Sequence, residues 1–238
     1  MSRKVRPEKP DSVPFRVAAR EIAEISRAFY SRGWVLGTSG NFSAVLQREP
    51  LRLAITGRGL DKGSVEPSQI VEIDARAEVL RGKQRASAES LIHLAIVRQR
   101  GAGAVLHTHS IWGTVLSEAY PGQRAVVLQG YEMLKGLEGV HSHQRTERLP
   151  IIENSQNMKE LSAEIAGLLG KQPEIHGLLL RKHGLYTWGA TLREARRHVE
   201  IIEFLMEALV RSAELSRDAR VGGGVANELA VDRESKTE

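Results

Sequence analysis

Short apolar runs of strand length alternate along this chain with stretches of helical period, and that alternation restricts its fold more than any other feature. VPFRVAAREIAEISRAFYSRG (13–33) sets Phe15, Ala18, Ile22, Ile25 and Phe29 three and four residues apart, with Gly33 as a stop. That spacing marks one face of an amphipathic helix. SGNFSAVL and RLAIT follow as strands that end at glycine turns, then SAESLIHLAIVRQRG as a helix. AGAVLHTHS reads as a strand, SIWGTVLSEAY and NMKELSAEIAGLLGK as helices, and IHGLLLRKHG as another strand. The longest helix, TLREARRHVEIIEFLMEALVRSAEL, opens with a Thr191–Glu194 capping box. Helices and strands intermixed in this way predict an α/β fold, a sheet covered by helices on both faces.

No internal repeat and no linker-like stretch divides the chain, so residues 13–217 read as one domain. Residues 1–12, Pro-rich and charged, and residues 218–238, Gly-rich and then charged, read as disordered or flexible tails. At 238 residues the chain is long enough to bury a core without covalent staples. It has no cysteine, so any metal must sit on His, Asp or Glu. The absence of a membrane-length apolar run and of an apolar signal core points to a cytoplasmic protein with no membrane partner. A net charge of +5 and a pI near 9.6 invite a nucleic-acid reading. However, the 34 Lys and Arg are scattered among 29 Asp and Glu, with no basic stripe interleaved with aromatics. An anionic small substrate accounts for local positive charge equally well, and no nucleic-acid partner is expected.

The chemistry concentrates where apolar runs stop. In AVLHTHS, His107 and His109 are two residues apart, and in a strand such residues point the same way. They could share a metal, or they could be two surface histidines at a strand end. His183 closes a second apolar run, GLLLRKHG. Three imidazoles with one open position is the arrangement of a catalytic divalent metal, and strand ends are where α/β sheets bind ligands. His93 and His198 fall inside amphipathic helices and read as packing or surface residues. The rival HSH at 141–143 has polar flanks and reads as a loop.

GTSGNFS (37–43), ITGRG (55–59), SAES (87–90), HTHS (107–110) and RKHG (181–184) occur in the order of the class II aldolase/adducin superfamily, which the chain resembles from about residue 15 to 215. Two further segments, QGYEMLKGL (129–137) and LPIIEN (149–154), resemble a sugar-phosphate dehydratase branch of it. The resemblance implies a three-layer α/β/α sandwich with a central, largely antiparallel or mixed sheet. It implies one zinc per subunit on His107, His109 and His183, and a homotetramer with sites between neighbouring subunits. A phosphorylated sugar substrate would be held at Ser39, Gly40, Asn41, Thr56, Gly57 and Ser87, in keeping with the close approach of glycine-turn N–H groups to anions. Ala88 stands where the aldolases usually carry a second serine. Glu132 matches the catalytic acid/base of the dehydratases, and Glu89 matches the aldolase acid/base that also approaches the zinc. The implied activity is metal-assisted elimination of water. The alternatives are a zinc-dependent sugar-phosphate aldolase or epimerase using Glu89, and a non-catalytic, adducin-like interaction domain.

Overall fold

The computed structural model describes residues 15–119, 122 and 124–234, with side chains to 217. The expected tail 1–12 and residues 235–238 lie outside them. Helix α1 (Phe15–Ser31) buries the predicted stripe, with Ala18, Ile22, Ile25 and Phe29 all in the core. Strands β1 (Asn41–Arg48), β2 (Leu51–Thr56), β3 (Ile70–Asp74) and β4 (Val79–Arg81) follow as an antiparallel meander. Next come α2 (Ser90–Arg100), β5 (Ala104–Thr108), α3 (Ile111–Ala119) and β6 (Ala125–Gln129). A short 3-10 helix, Glu132–Gly136, precedes β7 (Thr146–Ile152), α4 (Met158–Lys171), β8 (Gly177–Leu180), β9 (Gly184–Gly189) and α5 (Leu192–Glu234).

The nine strands form one sheet in the order β4-β3-β2-β1-β5-β9-β8-β7-β6, and only β7 and β8 run parallel. Helices α2 and α4 pack on one face, burying Ile92, Leu94, Leu161 and Ile165 against Val105, Leu178 and Leu180. Helices α1, α3 and α5 cover the other face, where Ile22, Phe29, Leu116, Val199 and Ile202 meet Ala104, Leu106 and Leu179. The expected sandwich is therefore the observed one.

Strict alternation along β5 sends Val105 and His107 to the α2/α4 face and Leu106 and Thr108 to the other. Thr191 caps α5 as expected, with Glu194 N donating to its Oγ1 at 3.2 Å, but the Glu194 carboxylate accepts from Ala190 N at 3.2 Å, one residue before the nitrogen a full capping box uses. Beyond 217, where composition points to a flexible tail, the backbone of α5 stays helical to Glu234. Among the described residues no helix is long and apolar enough to cross a membrane.

Candidate metal centre and anion cleft

The row Asn41, His107, Tyr186 runs across β1, β5 and β9 as directly paired residues, so all three side chains share one face at the middle of the sheet. His107 is fully buried; its ring stacks on Tyr186 with centroids 3.9 Å apart and planes within 9°. His109 follows the strand, with its backbone N held by Trp34 O at 2.8 Å. His183 lies in the tight turn between β8 and β9, one turn beyond the strand end at Leu180, rather than on the strand itself.

The Nε2 atoms of the three histidines converge: His107 to His109 is 2.9 Å, His109 to His183 is 3.1 Å, and His107 to His183 is 3.3 Å. His107 Nδ1 donates to Leu185 O at 2.9 Å and His183 Nδ1 to Asn154 Oδ1 at 3.3 Å, which places the hydrogen on Nδ1 and the lone pair on Nε2. Burial holds all three rings neutral: His107 well below its ordinary value, His109 at about 3, His183 lowered likewise. Facing lone pairs repel unless a cation sits among them. Metal–nitrogen bonds of about 2.0–2.1 Å in tetrahedral geometry set ligand nitrogens about 3.3 Å apart, close to the spacing seen. The donor set fits a divalent metal, and among the described residues it is the one such cluster.

Two glycines explain how the chain closes so tightly here. A Cβ on Gly184 would lie 1.9 Å from Thr108 O, and one on Gly40, whose φ is +72°, would lie 2.7 Å from His107 O. Gly40 is thus required by its approach to the ligand strand as well as by the cleft.

Beside the trio opens a cleft of about 230 Å³ lined by Ser39, Gly40, Asn41, Gly57, Ser87, Glu89 and His109, together with Thr38, Arg58 and Lys62. Of the expected anion contacts only Thr56 is absent from the lining; its buried hydroxyl accepts from Phe42 N at 3.2 Å and braces β1. Glu89, at the head of α2, has Oε1 3.3 Å from His183 Nε2 and 3.9 Å from His107 Nε2. Glu132 is not brought to the trio. It is 72% exposed on its 3-10 helix, paired with Lys135 at 2.7 Å and His143 at 3.7 Å, and the Lys135 hydrogen bond lowers its pKa.

Three residues escaped the sequence reading. Lys62 is buried in the cleft wall, with Nζ donating to Leu60 O at 2.9 Å, and desolvation lowers its pKa to about 8. Its segment RGLDKG reads as a turn, and nothing in it signals burial. Asn154, which orients His183, belongs to LPIIEN, so that motif itself held the signal. Glu203 of α5 is buried behind β5. Its Oε1 accepts from Thr108 Oγ1 at 2.6 Å, and burial, outweighing the Ser110 and Thr108 hydroxyls, pushes its pKa up to about 7. His198 is structural as expected, bonded through Nδ1 to Trp188 O at 2.7 Å and through Nε2 to Glu138 N at 3.1 Å.

An α/β/α sandwich with a histidine trio at its central strands and a basic, glycine-walled cleft alongside defines a metal-dependent enzyme that takes an anionic small molecule. Within that class the chain belongs to the class II aldolase and adducin N-terminal domain family, whose model matches residues 20–210. It is 36% identical over 208 residues to a methylthioribulose-1-phosphate dehydratase of Marinobacter nauticus, covering 87% of this chain and 99% of that one. It is 40% identical over 198 residues to one of Methylococcus capsulatus, covering 83% and 95%. Among solved structures, YgbL of Escherichia coli, described as a putative aldolase/epimerase/decarboxylase, aligns with a TM-score of 0.69 at 25% identity, covering 82% of this chain and 89% of that one. L-fuculose-1-phosphate aldolase of Thermus thermophilus shares the fold, with a TM-score of 0.68 at 21% identity over 84% of this chain and 98% of that one.

Proposed function

We propose that this protein is a zinc-dependent hydro-lyase that converts 5-methylthioribulose 1-phosphate to 2,3-diketo-5-methylthiopentyl 1-phosphate in methionine salvage. The observation that carries this reading is identity of 36–40% to dehydratases of that name over nearly their whole length, joined to an intact histidine trio. His107, His109 and His183 would hold the metal, which when bound would supply a Lewis acid that polarises the substrate carbonyl and makes the neighbouring C3 proton acidic. Ser39, Gly40, Gly57, Ser87 and Lys62 receive the phosphate, with Lys62 as the buried positive charge that a dianion demands. Asn41 and Glu89 form the wall between phosphate and metal.

Glu132 takes the proton from C3. A protonated group assists the C4 hydroxyl, which departs as water, and the resulting C3–C4 enol tautomerises to the diketone. Within one chain Glu132 lies exposed and outside the cleft. It therefore serves the trio of a neighbouring copy, in a homotetramer whose sites lie between subunits. There, burial against the neighbouring copy would work against the Lys135 hydrogen bond that lowers its pKa in the single chain.

The nearness of Glu89 to His183 favours a second reading, an aldolase or epimerase with Glu89 as the proton carrier, and the two readings part on the same pair of variants. On 5-methylthioribulose 1-phosphate, Glu132→Gln is expected to keep zinc and KM while kcat falls about 10²–10⁴-fold. Glu89→Gln should lose zinc or affinity along with rate. Parent-rate dehydration by Glu132→Gln overturns the assignment of Glu132 as acid/base, and two carbon fragments among the products overturn the dehydratase assignment.

A further inference from the structure

Between α2 and the metal centre runs a chain of three hydrogen bonds with a fixed direction. His93 Nδ1 is 2.7 Å from Ser43 Oγ, His93 Nε2 is bonded to Asn41 Oδ1, and Asn41 Nδ2 is bonded to Glu89 Oε2. The carboxylate sets the polarity. It only accepts, so the Asn41 amide must turn its NH₂ toward Glu89 and its oxygen toward His93. That oxygen in turn requires the ring hydrogen on Nε2. The neutral imidazole is left with a lone pair on Nδ1, to which the Ser43 hydroxyl donates. The ring is fully buried and meets no charged partner among the described residues, which keeps it neutral and the direction single.

A histidine in the core is usually a packing residue, and here an apolar side chain would fill the space at lower desolvation cost. His93 stands between the fully buried Ile92 and Leu94 and meets Tyr186 edge-on at 5.9 Å. Both ring nitrogens are nevertheless bonded, one of them to the amide that grips the carboxylate beside the trio. Glu89 is held by opposite ends. Oε2 takes the Asn41 hydrogen bond, while Oε1 faces His183 and His107 at 3.3 and 3.9 Å. With the ring removed, the Asn41 oxygen loses its donor, the amide is no longer pinned at both ends, and Glu89 Oε2 loses its fixed partner.

We propose that Ser43, His93 and Asn41 form a one-way hydrogen-bond relay that locks Glu89 with one oxygen toward the metal, which makes His93 a positioning residue of the metal centre. The relay rests on the metal-site reading given above and is independent of which sugar phosphate is consumed.

The test compares His93→Leu, which fills the volume without donor or acceptor, with His93→Gln, whose amide restores a donor toward Asn41. Ser43→Ala cuts only the far end of the relay. Zinc affinity is read by chelator competition on the holoenzyme, kcat and KM on 5-methylthioribulose 1-phosphate, and folding by circular dichroism. His93→Leu is expected to weaken zinc binding and lower kcat by about 10–100-fold, the range for groups that orient metal-site residues, with KM within about twofold. His93→Gln should recover most of both losses, and Ser43→Ala should show a smaller loss of the same kind. Parent zinc affinity and kcat in His93→Leu overturn the relay, and so does a His93→Gln protein as impaired as His93→Leu. Should His93→Leu fail to fold, Ser43→Ala decides, and parent values there overturn the proposal. A parent enzyme inactive on this substrate sinks the dehydratase reading alone, because the zinc affinities still judge the relay.

Discussion

Replacing Glu203 by glutamine should stabilise the protein at neutral pH and leave it unchanged in acid. The carboxyl is 1% exposed on α5, with Thr108 donating to one oxygen and the Ser110 hydroxyl also favouring its charged form. Burial raises its pKa from 4.5 to about 7. A carboxyl whose folded pKa lies above the unfolded value binds more protons in the folded state. Stability is therefore full below about pH 4.5 and is lost as pH rises to about 7. At about 1.4 kcal/mol per pH unit, the loss reaches about 3 kcal/mol at pH 7–8 and is about 1 kcal/mol at pH 5. Glutamine keeps the acceptor for Thr108 and cannot ionise, so Glu203→Gln removes this loss. For a domain of this size that is a rise in Tm of about 6–12 °C at pH 8, shrinking to nothing near pH 4. Thermal melts of metal-saturated protein at one fixed protomer concentration, from pH 4 to 8, measure it. A Tm gap that does not change with pH refutes the reasoning, as does a variant less stable than the parent at pH 8.

Alanine at His107, His109 or His183 should abolish stoichiometric metal and turnover together, by elemental analysis and assay; any one variant with full metal and activity removes the centre. Lys62→Met should raise KM by about 10–100-fold, the worth of one charge-assisted hydrogen bond, with a smaller effect on kcat; an unchanged KM takes Lys62 out of the phosphate site. In metal-free protein the depressed histidines, His93 and His109 at about 3, bind protons only when unfolded. Stability should then be full above about pH 6.5 and fall as pH drops toward 3, and a flat profile in chemical denaturation counts against that. Mixed assemblies of His183→Ala and Glu132→Gln chains should regain activity that neither has alone, and no regain after verified subunit exchange excludes delivery of Glu132 by a neighbour.

The trio was legible because period-two geometry puts His107 and His109 on one face, and because β8 brings a histidine turn beside β5 through β9. The helices were legible from their stripes, above all α1. Strands β3, β4, β6, β7 and β9 were not singled out, because short runs without sustained alternation carry no period to read. The difference between His93 and His198 was invisible for a related reason. Both sit in the buried stripe of a helix, and only pairing in space shows that one reaches Glu89 through Asn41 while the other caps Trp188 O. Lys62 was hidden because a lysine in a glycine turn looks solvated. Glu132 was found by its motif, but no local pattern reveals that its own chain leaves it outside the cleft.

Strand β5, which carries His107 and leads straight into His109, is the fifth of nine, with four strands on either side. A side chain rooted there moves only if the whole sheet moves. The cleft walls have different origins: residues 38–41 lead into β1, and residues 57–62 leave β2 toward the edge of the sheet. Apart from Gly40 and Asn41, which are held against His107, such loops can be lengthened, shortened or exchanged without disturbing the ladder. Reactivity and substrate choice are thus stored in mechanically separate parts of the molecule. A laboratory lineage seeking a new sugar phosphate should accumulate its changes in those two loops and leave the three histidines alone.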